Sequence, residues 1–127
     1  MIAVDTSALM AILLDEPQAD ACDAALQADS NILISAGTLA ETLIVSLRHG
    51  VRDAVLDMVD RMAFEVVAVT RADALRAGQA YSRWGRGTHR AGLNYGDCFA
   101  YVLAKERACP LLYIGKDFAR TDIASVL

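Results

Sequence analysis

Short apolar runs separated by longer helix-forming stretches make up most of this 127-residue chain. Four runs are apolar almost throughout rather than alternating, as expected of strands that are buried on both faces of a sheet. They are Ile2–Val4, Ile32–Ile34, Phe64–Val69 and Leu111–Ile114. Because strands that alternate with helices form parallel sheets covered on both faces, the pattern predicts the α/β class. We expect an α/β/α sandwich around a central parallel sheet of four to five strands.

The predicted helices fill the segments between these runs. Thr70 has the residue type that caps a helix, and the helix it opens should end near Trp84. The other predicted helices are Ala8–Leu14, Gln18–Ala28, Leu39–Arg48, Val51–Met62 and Phe99–Arg107. On the helix that ends at Arg48, the apolar residues Leu43, Ile44 and Leu47 share one face.

Composition and length predict one globular domain over residues 1–127. The chain is 55% hydrophobic and 22% charged, which excludes intrinsic disorder. The odd number of cysteines, three without C-x-x-C spacing, argues against disulfides and against a thiolate zinc site. The longest charge-free run, Ser30–Ala40, has 11 residues, and the N-terminus lacks the basic region of a signal peptide. We therefore expect a cytoplasmic protein without a membrane segment.

Four acidic residues occupy positions that a parallel sheet brings to one edge. Asp5 and Asp117 follow the first and fourth predicted strands, while Glu41 and Asp97 lie near the starts of helices. Clustered carboxylates repel each other and raise each other's pKa values, and a divalent cation removes that penalty. An all-oxygen site suits Mg²⁺ or Mn²⁺, which can activate water for displacement at phosphorus.

Structural roles remain open for the same four acids. Thr38 and Glu41 have the spacing of a helix capping box. Asp97 fits a cap near a helix start, and Asp5 and Asp117 fit turn positions. Spacing alone leaves the metal site and the structural roles equally open.

A local basic cluster precedes Asp97 in a chain whose net charge is −4. The acidic balance excludes a general nucleic-acid coat protein, because nonspecific binding depends on phosphate neutralisation. Arg83, Arg86 and Arg90 have guanidinium groups that suit phosphate oxygens, and Trp84 is an aromatic candidate for base stacking. The alternative is a solvated loop whose aromatic residues complete the core.

Four segments of the chain carry a family resemblance. They are Met1–Leu9, Ile34–Glu41, Ala91–Tyr101 and Leu111–Ile123. Together, in this order, they resemble the motifs of PIN-domain ribonucleases, and particularly of VapC-type toxins from bacterial toxin–antitoxin pairs. The resemblance implies a metal-dependent endoribonuclease that uses Mg²⁺ or Mn²⁺ to cut RNA, leaving a 5′-phosphate and a 3′-hydroxyl. It also implies a VapB-type antitoxin partner and a homodimer, with the apolar helices after the first two strands as candidate contacts.

By position, the resemblance assigns catalytic and metal-binding roles to the four acids. Asp5, Glu41 and Asp97 match the three firm acids of the family, and Asp117 matches its more variable fourth. Thr6 and Ser7 match positions that support the first acid. One departure is Lys116, which stands where relatives often carry an acid and places a cation beside Asp117. Asp122 is then either a substitute ligand or a cap or surface residue.

Other functions require residues in other places. A phospho-receiver module needs an aspartate after the third strand, and Phe64–Thr70 does not end in one. A phosphatase of the haloacid-dehalogenase type needs a second acid two residues after Asp5, where Ser7 stands. A catalytically inactive PIN-fold module that binds RNA or a protein partner is the remaining alternative.

Overall fold

Four parallel strands form the centre of the computed structural model, which describes all 127 residues. They are β1 (Ile2–Val4), β2 (Ile32–Ser35), β3 (Glu65–Val67) and β4 (Leu111–Leu112). Their order is β3-β2-β1-β4, and every neighbouring pair is parallel. The C-terminal segment adds a single parallel bridge from Ser125 to Leu111 rather than a fifth strand. The predicted parallel α/β fold is confirmed.

Six α-helices and one short 3₁₀ helix surround the sheet. They are α1 (Thr6–Leu13), α2 (Ala19–Ala28), α3 (Ala36–Arg48), α4 (Arg52–Arg61), α5 (Arg71–Trp84), α6 (Tyr95–Glu106) and the 3₁₀ helix Phe118–Arg120. Thr70 caps α5 through a complete capping box with Asp73, as its residue type predicts. Helices α3 and α6 begin earlier than predicted because Ser35 and Asn94 cap them. None of these helices has the length and apolar character needed to cross a bilayer.

Two apolar layers cover the two faces of the sheet. Side chains alternate along each strand, so Ala3 lies in the layer beneath α6, whereas Ile2 and Val4 lie in the layer beneath α1, α2 and α4. Parallel pairing places the carboxyl ends of all four strands at one edge. The helices that carry candidate acids begin at this edge.

The buried face of α3 is polar, and its apolar face points outward. Thr38, Thr42 and Ser46 are fully buried, whereas Ile44 is 58% and Leu47 is 62% exposed. These hydroxyls are small enough for close helix packing against α1 and α6, and two of them donate to carbonyls of α3 itself. The predicted apolar face therefore lies largely in solvent instead of the core.

Candidate active site

Asp5 joins the end of β1 to the start of α1. Its Oδ2 accepts hydrogen bonds from the Ser7 backbone N–H at 3.0 Å and from the Ser7 hydroxyl at 2.7 Å. The Ser7 Oγ in turn accepts from the Ile114 N–H at 3.0 Å, which ties Asp5 to the end of β4. Asp5 is only 3% exposed and its Oδ1 has no partner. Burial raises the pKa of this carboxyl to about 6, although the Ser7 hydrogen bonds oppose the shift.

Glu41 reaches the same edge from α3. Its Oε1 accepts from the Thr6 hydroxyl at 2.6 Å, so the Thr6 side chain supports the second acid. Across from Thr6, the Glu41 carboxylate fills the space that a Cβ at Gly96 would need. Glu41 is therefore held between α1 and α6. Because Ser35 caps α3, with its Oγ accepting from the Gly37 N–H, the capping-box alternative for Glu41 is wrong.

Asp97 combines a structural role with a place among the acids. Its Oδ2 accepts from the Asn94 N–H, and its own N–H donates to Asn94 Oδ1, both at 2.9 Å, so the predicted cap role is confirmed. Burial raises the pKa of Asp97 to about 7, and repulsion from Asp5, Glu41 and Asp117 adds to the increase. Asp97 therefore lies close enough to the other three carboxylates for their charges to oppose its ionisation.

Asp117 completes the group from the segment after β4. It precedes the 3₁₀ helix, is exposed and makes no capping hydrogen bond with its side chain. Asp122 lies elsewhere, where its carboxylate accepts from the Tyr101 hydroxyl at 2.7 Å and from Lys105 Nζ at 3.1 Å. Both of its oxygens are thus occupied by partners on α6.

The donor set fits a hard divalent cation in its chemistry. Every candidate ligand is a carboxylate, a buried oxygen of Asp5 lacks a partner, and the charges of the group oppose ionisation of Asp97. As placed, no three acidic, histidine or cysteine side chains are close enough together to enclose an ion. An ion held here would therefore be bound by some of these carboxylates directly and by others through water, as is usual for Mg²⁺.

The basic residues divide into paired and unpaired groups. Arg83 lies 3.7 Å from Asp122 and its guanidinium sits 4.4 Å above the Trp84 ring. Trp84 is half-buried and donates its Nε1–H to the Tyr101 hydroxyl at 3.0 Å. Arg86 and Arg90 are exposed on the loop before α6 and have no carboxylate partner within 4.0 Å.

A parallel α/β/α sandwich with carboxylates at the strand ends is the arrangement found in this chain, and known proteins share it. The PIN domain family model matches residues 2–124. Ribonuclease VapC30 of Mycobacterium tuberculosis is 49% identical, over 98% of both chains. Ribonuclease VapC of Mycolicibacterium smegmatis is 45% identical, over 98% of this chain and 99% of its own length. The chain belongs to the PIN-domain family, among its VapC-type members, which confirms the resemblance found in the sequence.

Solved structures agree on the fold. Mycobacterium tuberculosis VapC20, described as a sarcin–ricin loop cleaving toxin, superposes with a TM-score of 0.80 at 16% identity, covering 99% of this chain and 98% of that one. A toxin–antitoxin complex from Klebsiella pneumoniae superposes with a TM-score of 0.71 at 18% identity, covering 96% and 93%. At these identities the likeness establishes the shared architecture.

The raised pKa values predict how pH affects the metal-free protein. Between about pH 4 and pH 7, the folded state holds protons on Asp5 and Asp97 that the unfolded state has released. The free energy of unfolding should therefore fall as pH rises through this window. We expect the thermal midpoint in EDTA to be several degrees lower at pH 8 than at pH 5, measured by circular dichroism. Asp97→Asn should flatten this dependence, and a wild-type midpoint that rises from pH 5 to pH 8 would contradict it.

Proposed function

We propose that this chain is a Mg²⁺- or Mn²⁺-dependent endoribonuclease and the toxin of a toxin–antitoxin pair. The observation that carries the proposal is the placement of Asp5, Glu41, Asp97 and Asp117 at the carboxyl edge of the parallel sheet, where repulsion from the other three acts on the partly buried carboxyl of Asp97. The VapC relatives are named ribonucleases, which supports RNA as the substrate class. Residues 1–127 act in this proposal as one PIN domain in the cytoplasm, where RNA and antitoxin are made.

The residues of the chain have separate roles in this reaction. Asp5, Glu41, Asp97 and Asp117 would hold the cation, directly or through water, and the cation would supply an activated water and neutralise charge at the phosphate. Ser7 orients Asp5 by donating its hydroxyl to Oδ2 while accepting the Ile114 N–H. No side-chain nucleophile is required, and the products carry a 5′-phosphate and a 3′-hydroxyl.

Thr6 has a positioning role toward Glu41. Its hydroxyl lies 2.6 Å from Glu41 Oε1 and 2.9 Å from Thr42 Oγ1, so the buried polar face of α3 fixes the rotamer of Thr6. This arrangement supports a preset orientation of the Glu41 carboxylate. Preset ligands lower the reorganisation needed when the cation and RNA bind.

The test is cleavage of total bacterial RNA by purified protein that is free of antitoxin. We expect discrete fragments with Mg²⁺ or Mn²⁺ and none with EDTA. The fragment on the 3′ side of each cut should accept a ligated adaptor at its new 5′ end without prior phosphorylation, because that end carries a 5′-phosphate. Cleavage that persists in EDTA, or fragments with 5′-hydroxyl ends, would contradict the proposed reaction.

A catalytically inactive PIN-fold module is the second candidate. Such a protein would bind RNA or a partner and leave RNA intact under every metal condition. The presence of all four acids, with Asp5 buried at the strand end and Glu41 held by Thr6, favours the enzyme.

We also propose a homodimer and a VapB-type antitoxin as partners. A cleft of about 530 Å³ lies beside the acidic edge, between α3, α5 and α6, and Ile44, Val69, Tyr95 and Phe99 line its apolar part. Tyr95 is 78% exposed, and exposed apolar surface of this kind marks protein interfaces. Sedimentation velocity at micromolar concentration should give the mass of two chains. The mass of one chain would contradict the homodimer.

A further inference from the structure

Only some of the lysine and arginine side chains of this acidic protein form ion pairs with carboxylates. Half of the twelve lysines and arginines lie within 4.0 Å of a carboxylate. The six without such a partner are Arg48, Arg71, Arg86, Arg90, Lys116 and Arg120. Four of these six lie in two segments that flank the acidic edge, which are the loop before α6 and the segment around Asp117. Positive charge is therefore left unpaired where the candidate active site is.

These two flanking segments contact each other. Arg120 Nη1 donates a hydrogen bond to the carbonyl oxygen of Arg90 at 3.1 Å. Hydrogen bonds within the loop before α6 also fix its conformation. The Arg86 N–H donates to the Leu93 carbonyl at 3.0 Å, and His89 Nδ1 accepts from the Ala91 N–H at 3.0 Å. The cationic side chains thus project from backbones that are held relative to each other.

We infer that Arg86, Arg90, Lys116 and Arg120 form one phosphate-binding track that guides single-stranded RNA to the acidic edge. The inference rests on the proposed ribonuclease function. A cluster of carboxylates repels the phosphates of RNA, so flanking cations are needed to bring the backbone close. A guanidinium has five N–H donors, so Arg120 keeps donors for a phosphate after binding the Arg90 carbonyl.

The track differs from the basic group that the sequence predicts. Arg83 is left out because Asp122 and the Trp84 ring already hold its guanidinium. Lys116 and Arg120 are included in the track because both are exposed, lie near Asp117 in the same segment and have no carboxylate within 4.0 Å. Proximity in the fold, rather than in the sequence, selects these cations.

The test is binding of a fluorescently labelled, mixed-sequence single-stranded RNA in EDTA, followed by anisotropy at several salt concentrations. The first variant is Arg90→Gln/Arg120→Gln. Arg86→Gln/Lys116→Gln is a second variant that leaves the hydrogen bond between the two segments intact. We expect each pair to raise Kd about tenfold at low salt and to reduce the slope of log Kd against log salt by about one to two.

A matched control removes two charges from the opposite edge of the sheet. Arg48 ends α3, which begins at the acidic edge and is about 18 Å long, and Arg61 ends α4 just before β3 begins. Arg48→Gln/Arg61→Gln lowers the net charge by the same amount and should leave Kd within about twofold of wild type. Thermal midpoints of all variants show whether each protein is folded.

The outcomes separate the track from the ribonuclease proposal. Track variants that bind RNA as tightly as wild type would overturn the track, as would a wild-type protein that fails to bind RNA in EDTA. Variants that lose affinity for an acidic peptide but keep their RNA affinity would assign these cations to a protein partner and also overturn it. Wild-type RNA binding without cleavage in Mg²⁺ would overturn the ribonuclease proposal and leave the track in place.

Discussion

Asp97→Asn should reduce RNA cleavage by at least about 100-fold and leave the fold intact. The amide oxygen of asparagine can still accept the Asn94 N–H, so the capping box that starts α6 survives. The substitution removes a partly buried charge that Asp5, Glu41 and Asp117 oppose. We therefore also expect a higher thermal midpoint for the metal-free variant at pH 8, measured beside the cleavage time course.

Asp73→Asn is the matched control, because Asp73 has the same capping position in α5. Its Oδ2 accepts from the Thr70 N–H at 3.0 Å, and this bond, together with Arg76, holds the pKa of Asp73 below its usual range. Removing this charge should lower the thermal midpoint slightly and leave cleavage unchanged. Equal cleavage by Asp97→Asn and wild type, or an equal loss in Asp73→Asn, would contradict the assignment of Asp97 to the active site.

Gly96→Ala should reduce cleavage about 10- to 100-fold, because the added Cβ overlaps the Glu41 carboxylate. That carboxylate is the end of a flexible side chain, so it moves away and the helix remains folded. Mg²⁺ affinity, measured by calorimetry, should weaken together with cleavage. Gly78→Ala is the control, since it makes the same change inside α5 where no atom lies within 4 Å of the new Cβ. It should leave cleavage unchanged and stabilise the protein by about 0.5–1 kcal/mol.

A second substitution tests whether the Gly96→Ala effect acts through Glu41. Glu41→Asp shortens the side chain by one carbon–carbon bond, about 1.5 Å, and so withdraws the carboxylate from the new methyl group. In the double variant the two losses should be less than multiplicative, as expected for side chains in contact. Losses that simply multiply would show that Gly96 acts by another route.

The succession of strands and helices along the chain could be predicted from the sequence, whereas the residues at which the strands end could not. Phe64–Val69 is predicted as a strand, but only Glu65–Val67 pairs, because its single neighbour β2 ends at Ser35, which pairs with Val67. The run Leu111–Ile114 is cut to two residues because the Ile114 N–H binds the Ser7 hydroxyl instead of continuing the ladder. Contacts between residues far apart in the sequence thus determine at which residue each strand ends.

The positions of the four acids follow from topology, but their supporting contacts required the structure. The Thr6–Glu41 hydrogen bond joins residues 35 positions apart, and no spacing pattern marks it. The role of Gly96 in making room for the Glu41 carboxylate is not predicted from the sequence. The available signal is a glycine directly before Asp97 at the start of a helix. The Thr38 and Glu41 capping box was a false match, since the same spacing pattern also occurs inside helices.

The most direct test of the metal site is anomalous scattering from a crystal soaked in Mn²⁺. We expect a peak within about 2.1 Å of carboxylate oxygens of Asp5 and Asp97, because this is the distance at which small divalent cations bind oxygen. The unpartnered Oδ1 of Asp5 should be among the contacting atoms. A map at saturating Mn²⁺ with no peak between these two residues, or with peaks only at other surface acids, would contradict the account.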